Sequence, residues 1–195
     1  MMASDQSPTK TAGDQRIFVA IELSDVCRDF LWTLGQSWRE QFTAIRWLDA
    51  RTYHITLAFL GDQSATAISE LSLQLTAELA DIASFECQLQ RIAVFPKRSP
   101  RVVALALEPS RQLTGLFKRV QLCCAEPLPD DSFHPHITVG RIRRHTARSE
   151  IFGLERAMDV KLPVESVAIF RSHLTPQGVE YQVINRFIFN PLSGS

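Results

Sequence analysis

The sequence predicts an α+β fold, bilobal, with two small antiparallel β-sheets backed by helices in a pseudo-two-fold arrangement around a central cleft. Three observations predict it. The tetrapeptide His54-Ile55-Thr56-Leu57 returns almost unchanged as His136-Ile137-Thr138-Val139. Each copy closes a similar order of elements: strand or strands, a helix, then the His/Thr strand. Paired strand patterns around short Pro- and Gly-containing turns are mixed with long helical stretches, which argues against a doubly wound parallel sheet.

Arg16-Ile-Phe-Val-Ala-Ile-Glu22 reads as the first strand. Ser24 or Asp25 can cap a helix through about residue 41, with Val26, Phe30, Leu34 and Trp38 on one stripe. A short extended piece, Arg46-Trp47-Leu48, precedes the first His/Thr strand, which ends at Gly61-Asp62. Residues 64–82 carry Ile68, Leu71, Leu75 and Leu79 at helical spacing. Residues 85–95 and 101–107 flank the turn 96–100 and predict a hairpin. Residues 110–125 form a third helix, stopped by Pro127 and Pro129. After the second His/Thr strand come a short helix from about Ser149 and strands 162–171 and 181–189, joined by Thr175-Pro-Gln-Gly178.

The chain of 195 residues is long enough for a substantial core, and 45% hydrophobic content with 22% charge is ordinary for a soluble protein. Lys+Arg and Asp+Glu both number 21, so no global field attracts long nucleic acids. A nucleic-acid partner must be held locally, at a chain end or a single nucleotide. No apolar stretch is long enough to span a membrane as a helix, and residues 1–15 form a polar lead-in without an apolar signal core. The expected organisation is a tail over 1–15, one bilobal domain over 16–190 and a short tail over 191–195, in a cytoplasmic monomer. Cys27, Cys87, Cys123 and Cys124 lack zinc-type spacing and read as buried, reduced thiols.

In each His/Thr strand, residues two apart point the same way, so His54 with Thr56, and His136 with Thr138, share a face. Ile55, Leu57 and Phe59 then share the opposite face, and small residues, Ala58 and Gly140, follow on the His/Thr side. Five histidines and twelve threonines would give about 0.3 His-x-Thr matches by chance, and there are three. The third, His173-Leu174-Thr175, runs into a turn and is set aside as coincidence or cleft rim. Two imidazoles and two hydroxyls can serve acid–base chemistry on a phosphate. One neutral ring accepts a proton, one charged ring donates, and the threonine hydroxyls bond to the non-bridging oxygens.

The segments Arg16-Ile-Phe-Val-Ala-Ile, Ile45-Arg-Trp-Leu, His54-Ile-Thr-Leu-Ala-Phe-Leu-Gly61, Ser132-Phe-His-Pro-His-Ile-Thr-Val-Gly-Arg141 and Ser172-His-Leu-Thr-Pro-Gln-Gly178 resemble the two-histidine (2H) phosphoesterase superfamily. The resemblance is strongest to its bacterial and archaeal RNA 2′,3′-cyclic phosphodiesterase branch, historically called 2′-5′ RNA ligases. One departure is Gly178-Val179, where the family usually has Gly-Pro. The resemblance implies metal-independent hydrolysis of RNA 2′,3′-cyclic ends, or of small cyclic-phosphate nucleotides, to 2′-phosphomonoesters. It also implies His54 as proton donor, His136 as proton acceptor, and no cofactor. The residues themselves do not distinguish acid from base.

Thr56 and Thr138 are the expected phosphate donors. Arg141, five residues after His136, would point away in a regular strand, so a phosphate role requires a bulge or a strand end at Gly140. Arg143 and Arg144, with His145 and Arg148, form a candidate path for neighbouring RNA phosphates. Among the aromatics near the motifs (Phe18, Trp47, Tyr53, Phe133, Tyr181), Phe133 is the first candidate for stacking on a base. His134 and His136 form a His-x-His pair that could ligate zinc, but Pro135 between them and the resemblance, in which the position of His134 is not catalytic, favour a structural or cleft-edge His134, and no metal is expected. Two alternatives remain: 2′-5′ ligation of tRNA halves by the same cleft run backwards, and a nucleotide-binding module without turnover.

Overall fold

The computed structural model describes residues 14–176 and 178–191. The expected tail over residues 1–15 falls outside these apart from its last two residues, and all but Pro191 of the C-terminal tail falls outside as well. In chain order the strands are β1 (Gln15–Glu22), β2 (Ile45–Trp47), β3 (His54–Gln63), β4 (Phe85–Phe95), β5 (Val102–Leu107), β6 (His136–Ile142), β7 (Arg156–Val164), β8 (Ser166–Thr175) and β9 (Gly178–Ile188). The α-helices are α1 (Asp25–Leu34), α2 (Gln36–Gln41), α3 (Ala65–Glu78) and α4 (Arg111–Leu122).

The fold is α+β, but the two expected sheets are one. Its strand order is β7-β4-β5-β6-β3-β1-β8-β9, with β2 added beside β6. Strands β3 and β6 meet at the middle, so the order reads outward as β3-β1-β8-β9 on one side and β6-β5-β4-β7 on the other. The sequence duplication therefore survives as a symmetry of pairing. The seam is thin: β3 and β6 share one registered pair, Ile55 with Ile137, whereas β1 and β3 share eight. A single residue, Glu165, separates β7 from β8, yet they lie six strand steps apart, roughly 29 Å across a flat sheet. One residue reaches only about 3.5 Å. The sheet must fold back on itself, and the Ser84 N–H to Asn190 O bond of 2.8 Å ties the start of β4 to the chain beyond β9.

That crossing also corrects the predicted strand 162–171, which is the end of β7 and the start of β8. Local alternation cannot locate the break, because both sides continue in extended backbone. Residues 25–41 are likewise two helices, meeting at Gly35. The first half of the predicted stripe is displaced: Val26 and Phe30 are exposed, and Cys27 and Leu31 are buried in their place, whereas Leu34 packs against the core and Trp38 is buried as expected. A strict i+4 series drifts about 40° per step around a helix of 3.6 residues per turn, whereas 27, 31, 34 and 38 hold one face. Ser24, Ser64 and Ser110 each accept a backbone N–H at the start of α1, α3 and α4.

Cys27, Leu31, Ile68, Leu71, Leu75, Leu113, Leu116, Phe117 and Val120 join Ile55, Leu57, Ile137 and Val139 in one contiguous core. The helices thus cover one face of the sheet. On the opposite face Phe18, Ala20, Ala168 and Phe170 form a small second cluster, with Tyr181 and Val183 packed against it. All four thiols are unbridged, and burial raises their pKa values. No described helix is long and apolar enough to cross a membrane.

Candidate active site

The seam places the two motifs side by side. Extending the Ile55–Ile137 register by one residue sets Thr138 opposite His54 and Thr56 opposite His136. All four point away from the helices, since Ile55 and Ile137 are fully buried in the core between them. The histidines are diagonal, about 7–8 Å apart at Cα in a flat ladder. With one registered pair holding the strands, they are free to diverge on either side.

Both strands then do something the alternation hides. Against β1, the register of β3 slips at Leu57; against β5, that of β6 slips at Val139, the residue in the equivalent position. Each slip is a β-bulge, which turns two consecutive residues toward the core: Leu57 with Ala58, and Val139 with Gly140. The next residues outward, Phe59 and Arg141, return to the His/Thr face, and both are exposed. This corrects the assignment of Phe59 to the opposite face and of Ala58 and Gly140 to the His/Thr face. The bulge that the expected phosphate role of Arg141 requires is present, one residue before Gly140.

A bulge leaves backbone groups without ladder partners, and both are supplied from outside. Gln121 on α4 donates its amide to the Leu57 carbonyl at 2.8 Å, while its own oxygen accepts the Leu128 N–H at 2.7 Å. The Val139 carbonyl accepts the Leu48 N–H at 2.9 Å. Gly140 permits a close approach: a Cβ there would lie 2.7 Å from Ile45 Cγ2. Sequence reading missed Gln121, because a buried amide at the end of a helix carries no local pattern.

The two imidazoles are held alike. Nδ1 of His54 lies 2.7 Å from the Thr52 carbonyl, and Nδ1 of His136 lies 2.7 Å from the His134 carbonyl. A carbonyl only accepts, so Nδ1 carries the proton and Nε2 is the nitrogen left for a substrate. Burial pushes the His54 pKa down to about 4; the Thr52 carbonyl opposes this, and the charge of His136 adds to it. The Tyr181 phenol is raised by burial, and the positive charge of Arg141 works against that rise. His136 and Arg141, both on β6, are thus close enough to act electrostatically on His54 and Tyr181 in the other half.

His54 sits in an aromatic corner, its ring centroid 4.9 Å from Phe18 and 5.2 Å from Tyr181, edge to face with the latter. Beside His136 lies a cavity of about 460 Å³ walled by Phe95, Val102, Ala106, Phe133 and His134. Phe133 stacks on Phe117 at 4.3 Å, so one face of its ring is taken and the remainder borders this cavity. Trp47 packs against the core and Tyr53 is buried in it. Arg143 continues outward from Arg141, whereas Arg144 enters a turn at His145, whose φ is 67°. Arg148 is tied to the Lys97 and Arg98 carbonyls at the β4–β5 hairpin. His173 is exposed, and Thr175 spends its hydroxyl on the Gly178 carbonyl at 3.0 Å. Among the described residues, no group of three or more His, Cys, Asp or Glu side chains is placed to hold a metal ion.

Known proteins share this architecture. A profile of the 2′-5′ RNA ligase superfamily matches residues 29–175. The RNA 2′,3′-cyclic phosphodiesterase of Thermus thermophilus is 31% identical over 184 residues, covering 88% of this chain and 89% of that protein. Its namesake in Thermotoga maritima is 27% identical over 175 residues, covering 87% and 92%. A Thermus thermophilus protein of solved structure matches with a TM-score of 0.77 at 25% identity, over 90% of this chain and 98% of that one. E. coli LigT, crystallised with phosphate, matches with a TM-score of 0.69 at 25% identity, over 92% and 99%. The chain belongs to the 2′-5′ RNA ligase superfamily.

Proposed function

We propose that the protein opens 2′,3′-cyclic phosphodiester ends of RNA to 2′-phosphomonoesters, using His54 and His136 as an acid–base pair without a metal. The observation that carries this reading is the matched pinning of both Nδ1 atoms. It leaves two Nε2 atoms for the face that also presents Thr56, Thr138 and Arg141. Relatives named RNA 2′,3′-cyclic phosphodiesterase support the substrate class.

In the proposed step, a water oxygen forms a bond to phosphorus as His136 Nε2 takes the water's proton. The bond from phosphorus to the ribose 3′-oxygen breaks, and His54 Nε2 delivers a proton to that oxygen. Thr56, Thr138 and Arg141 donate to the non-bridging oxygens, where charge grows. His54 is neutral in the free protein at pH 7, because its pKa lies near 4. Loading it as the acid therefore requires the incoming phosphate anion, which favours the charged ring. Once charged in this buried corner, the imidazolium is a strong proton donor. The roles of the two rings follow the family, since the motifs are nearly symmetric; the symmetry ends one step further out, at Phe59 and Arg141.

The test is turnover of nucleoside 2′,3′-cyclic phosphates by purified protein in EDTA, analysed for the 2′-monophosphate. His54→Ala and His136→Ala should each lower kcat by roughly 10²–10⁴-fold with unchanged circular dichroism. Full activity in either folded variant rejects the mechanism. Incubation with tRNA halves bearing a cyclic phosphate and a 5′-hydroxyl reads out the reverse reaction, with the 5′-hydroxyl in place of water.

A further inference from the structure

We infer that Arg46, with Arg141 and Arg143, forms a second anion subsite that holds the phosphodiester on the 5′ side of the terminal nucleotide. The cyclic end of an oligonucleotide would then be preferred over a cyclic mononucleotide. This rests on the function proposed above and adds to it a residue and a substrate length.

The placement comes from β2. This three-residue strand pairs with β6 alone, in the register Ile45–Ile142, Arg46–Arg141 and Trp47–Gly140. Ile45 is buried, and Trp47 and Ile142 pack against the core. Arg46 and Arg141 must therefore project from the opposite face, the one that carries His136 and Thr138. Both are exposed. Arg143, also exposed, follows two residues after Arg141, and its N–H bonds to the Ala44 carbonyl at 3.3 Å, which extends the same ladder. The row His136, Thr138, Arg141, Arg143 thus leads away from the reacting phosphate with Arg46 alongside it. Arg141 and Arg143 stand about 7 Å apart along the strand.

Two cations directly opposite in an antiparallel pair repel and destabilise it. Five other arginines are already occupied: Arg28, Arg51, Arg119, Arg171 and Arg186 each hold side-chain or carbonyl oxygens. Arg46, Arg141 and Arg143 have no side-chain hydrogen bond or ion pair among the described residues. An anion between Arg46 and Arg141 converts the repulsion into charge-assisted hydrogen bonding, and a phosphodiester suits the planar guanidinium fork. Arg46 is held in place by its neighbours: the Trp47 indole donates to the Phe42 carbonyl at 3.3 Å, and the Leu48 N–H bonds to the bulge carbonyl of Val139.

The experiment compares kcat/KM for adenosine 2′,3′-cyclic phosphate and for the dinucleotide ApA ending in the same group. The dinucleotide adds one phosphodiester. The ratio of dinucleotide to mononucleotide should fall by about 5–10-fold in Arg46→Ala and less in Arg46→Lys. The dependence of log KM on log salt for the dinucleotide should flatten by about one unit or slightly less. An unchanged ratio in Arg46→Ala overturns the proposal. Equilibrium binding of ApA 3′-phosphate and of 3′-AMP to wild type and Arg46→Ala gives the same comparison without turnover. A protein that opens neither substrate but shows Arg46-dependent preference for the dinucleotide phosphate loses the catalytic reading and keeps this one. The reverse outcome, turnover with no Arg46 dependence in either measurement, keeps the catalytic reading and rejects the subsite.

Discussion

At His54 a polar side chain works against its own surroundings. Phe18, Phe170 and Tyr181 crowd the ring, and burial lowers its pKa from the ordinary 6.5 to about 4. Between these values the unfolded chain binds the proton that the folded protein refuses, so stability rises with pH through this window and levels above 6.5. The total is on the order of 3 kcal/mol at about 1.4 kcal/mol per pH unit. Replacing His54 with Gln should remove that part of the slope. Urea unfolding of both proteins between pH 4.5 and 7 measures it, and identical slopes would show that the ring titrates normally. In the proposed mechanism the same burial has a functional side, because a ring that resists protonation on its own would take its proton with the substrate anion. The paired Nδ1 bonds to Thr52 and His134 keep Nε2 available in either state.

The decisive devices at the level of elements are the bulges at Leu57 and Val139. Without the second, Arg141 would face the core, and the proposed phosphate donors would be two instead of three. The cost of the first is a carbonyl with no ladder partner, offset by Gln121 from α4. Gln121→Leu leaves the Leu57 carbonyl and the Leu128 N–H without partners in a buried setting, at about 1–3 kcal/mol. The expected result is a lower urea midpoint together with reduced kcat at temperatures where the variant is fully folded. Loss of stability alone, with wild-type kcat, would mean that the bulge keeps its shape without the amide. These devices explain the limits of local reading. The His/Thr alternation is visible because it needs only two residues on one strand, whereas a bulge is defined against a partner strand. The β1 strand, α3, the β4–β5 hairpin and the start of α4 were legible from periodicity and caps. The first half of the stripe, in α1, was misplaced, because Val26 and Phe30 are as apolar as the residues that are actually buried.

The sheet of the whole molecule folds about a seam with one registered pair, so Ile55 and Ile137 carry the geometry between the two histidines. Ile137→Ala should cost roughly 2–5 kcal/mol, as expected for a fully buried aliphatic side chain. Leu75→Ala, equally buried but on α3, is the control of similar cost. Only the seam variant should lower kcat when both are assayed fully folded, since only it alters the relation of His54 to His136. Equal kcat values would show that the halves are held by the crossing at Glu165 instead. That crossing, and the tie between Ser84 and Asn190, were invisible in the sequence because they join residues more than a hundred positions apart or continue an unbroken extended run. By itself the sequence determined the α+β class and the two imidazole–hydroxyl couples, because alternation along a strand is a local property of the backbone. Only the tertiary structure decided that the couples share one face across a single seam, that Arg141 turns back to join them, and that Arg46 stands beside it. Each of those depends on which strand lies next to which, and pairing across the chain is written in packing and register, not in any one segment.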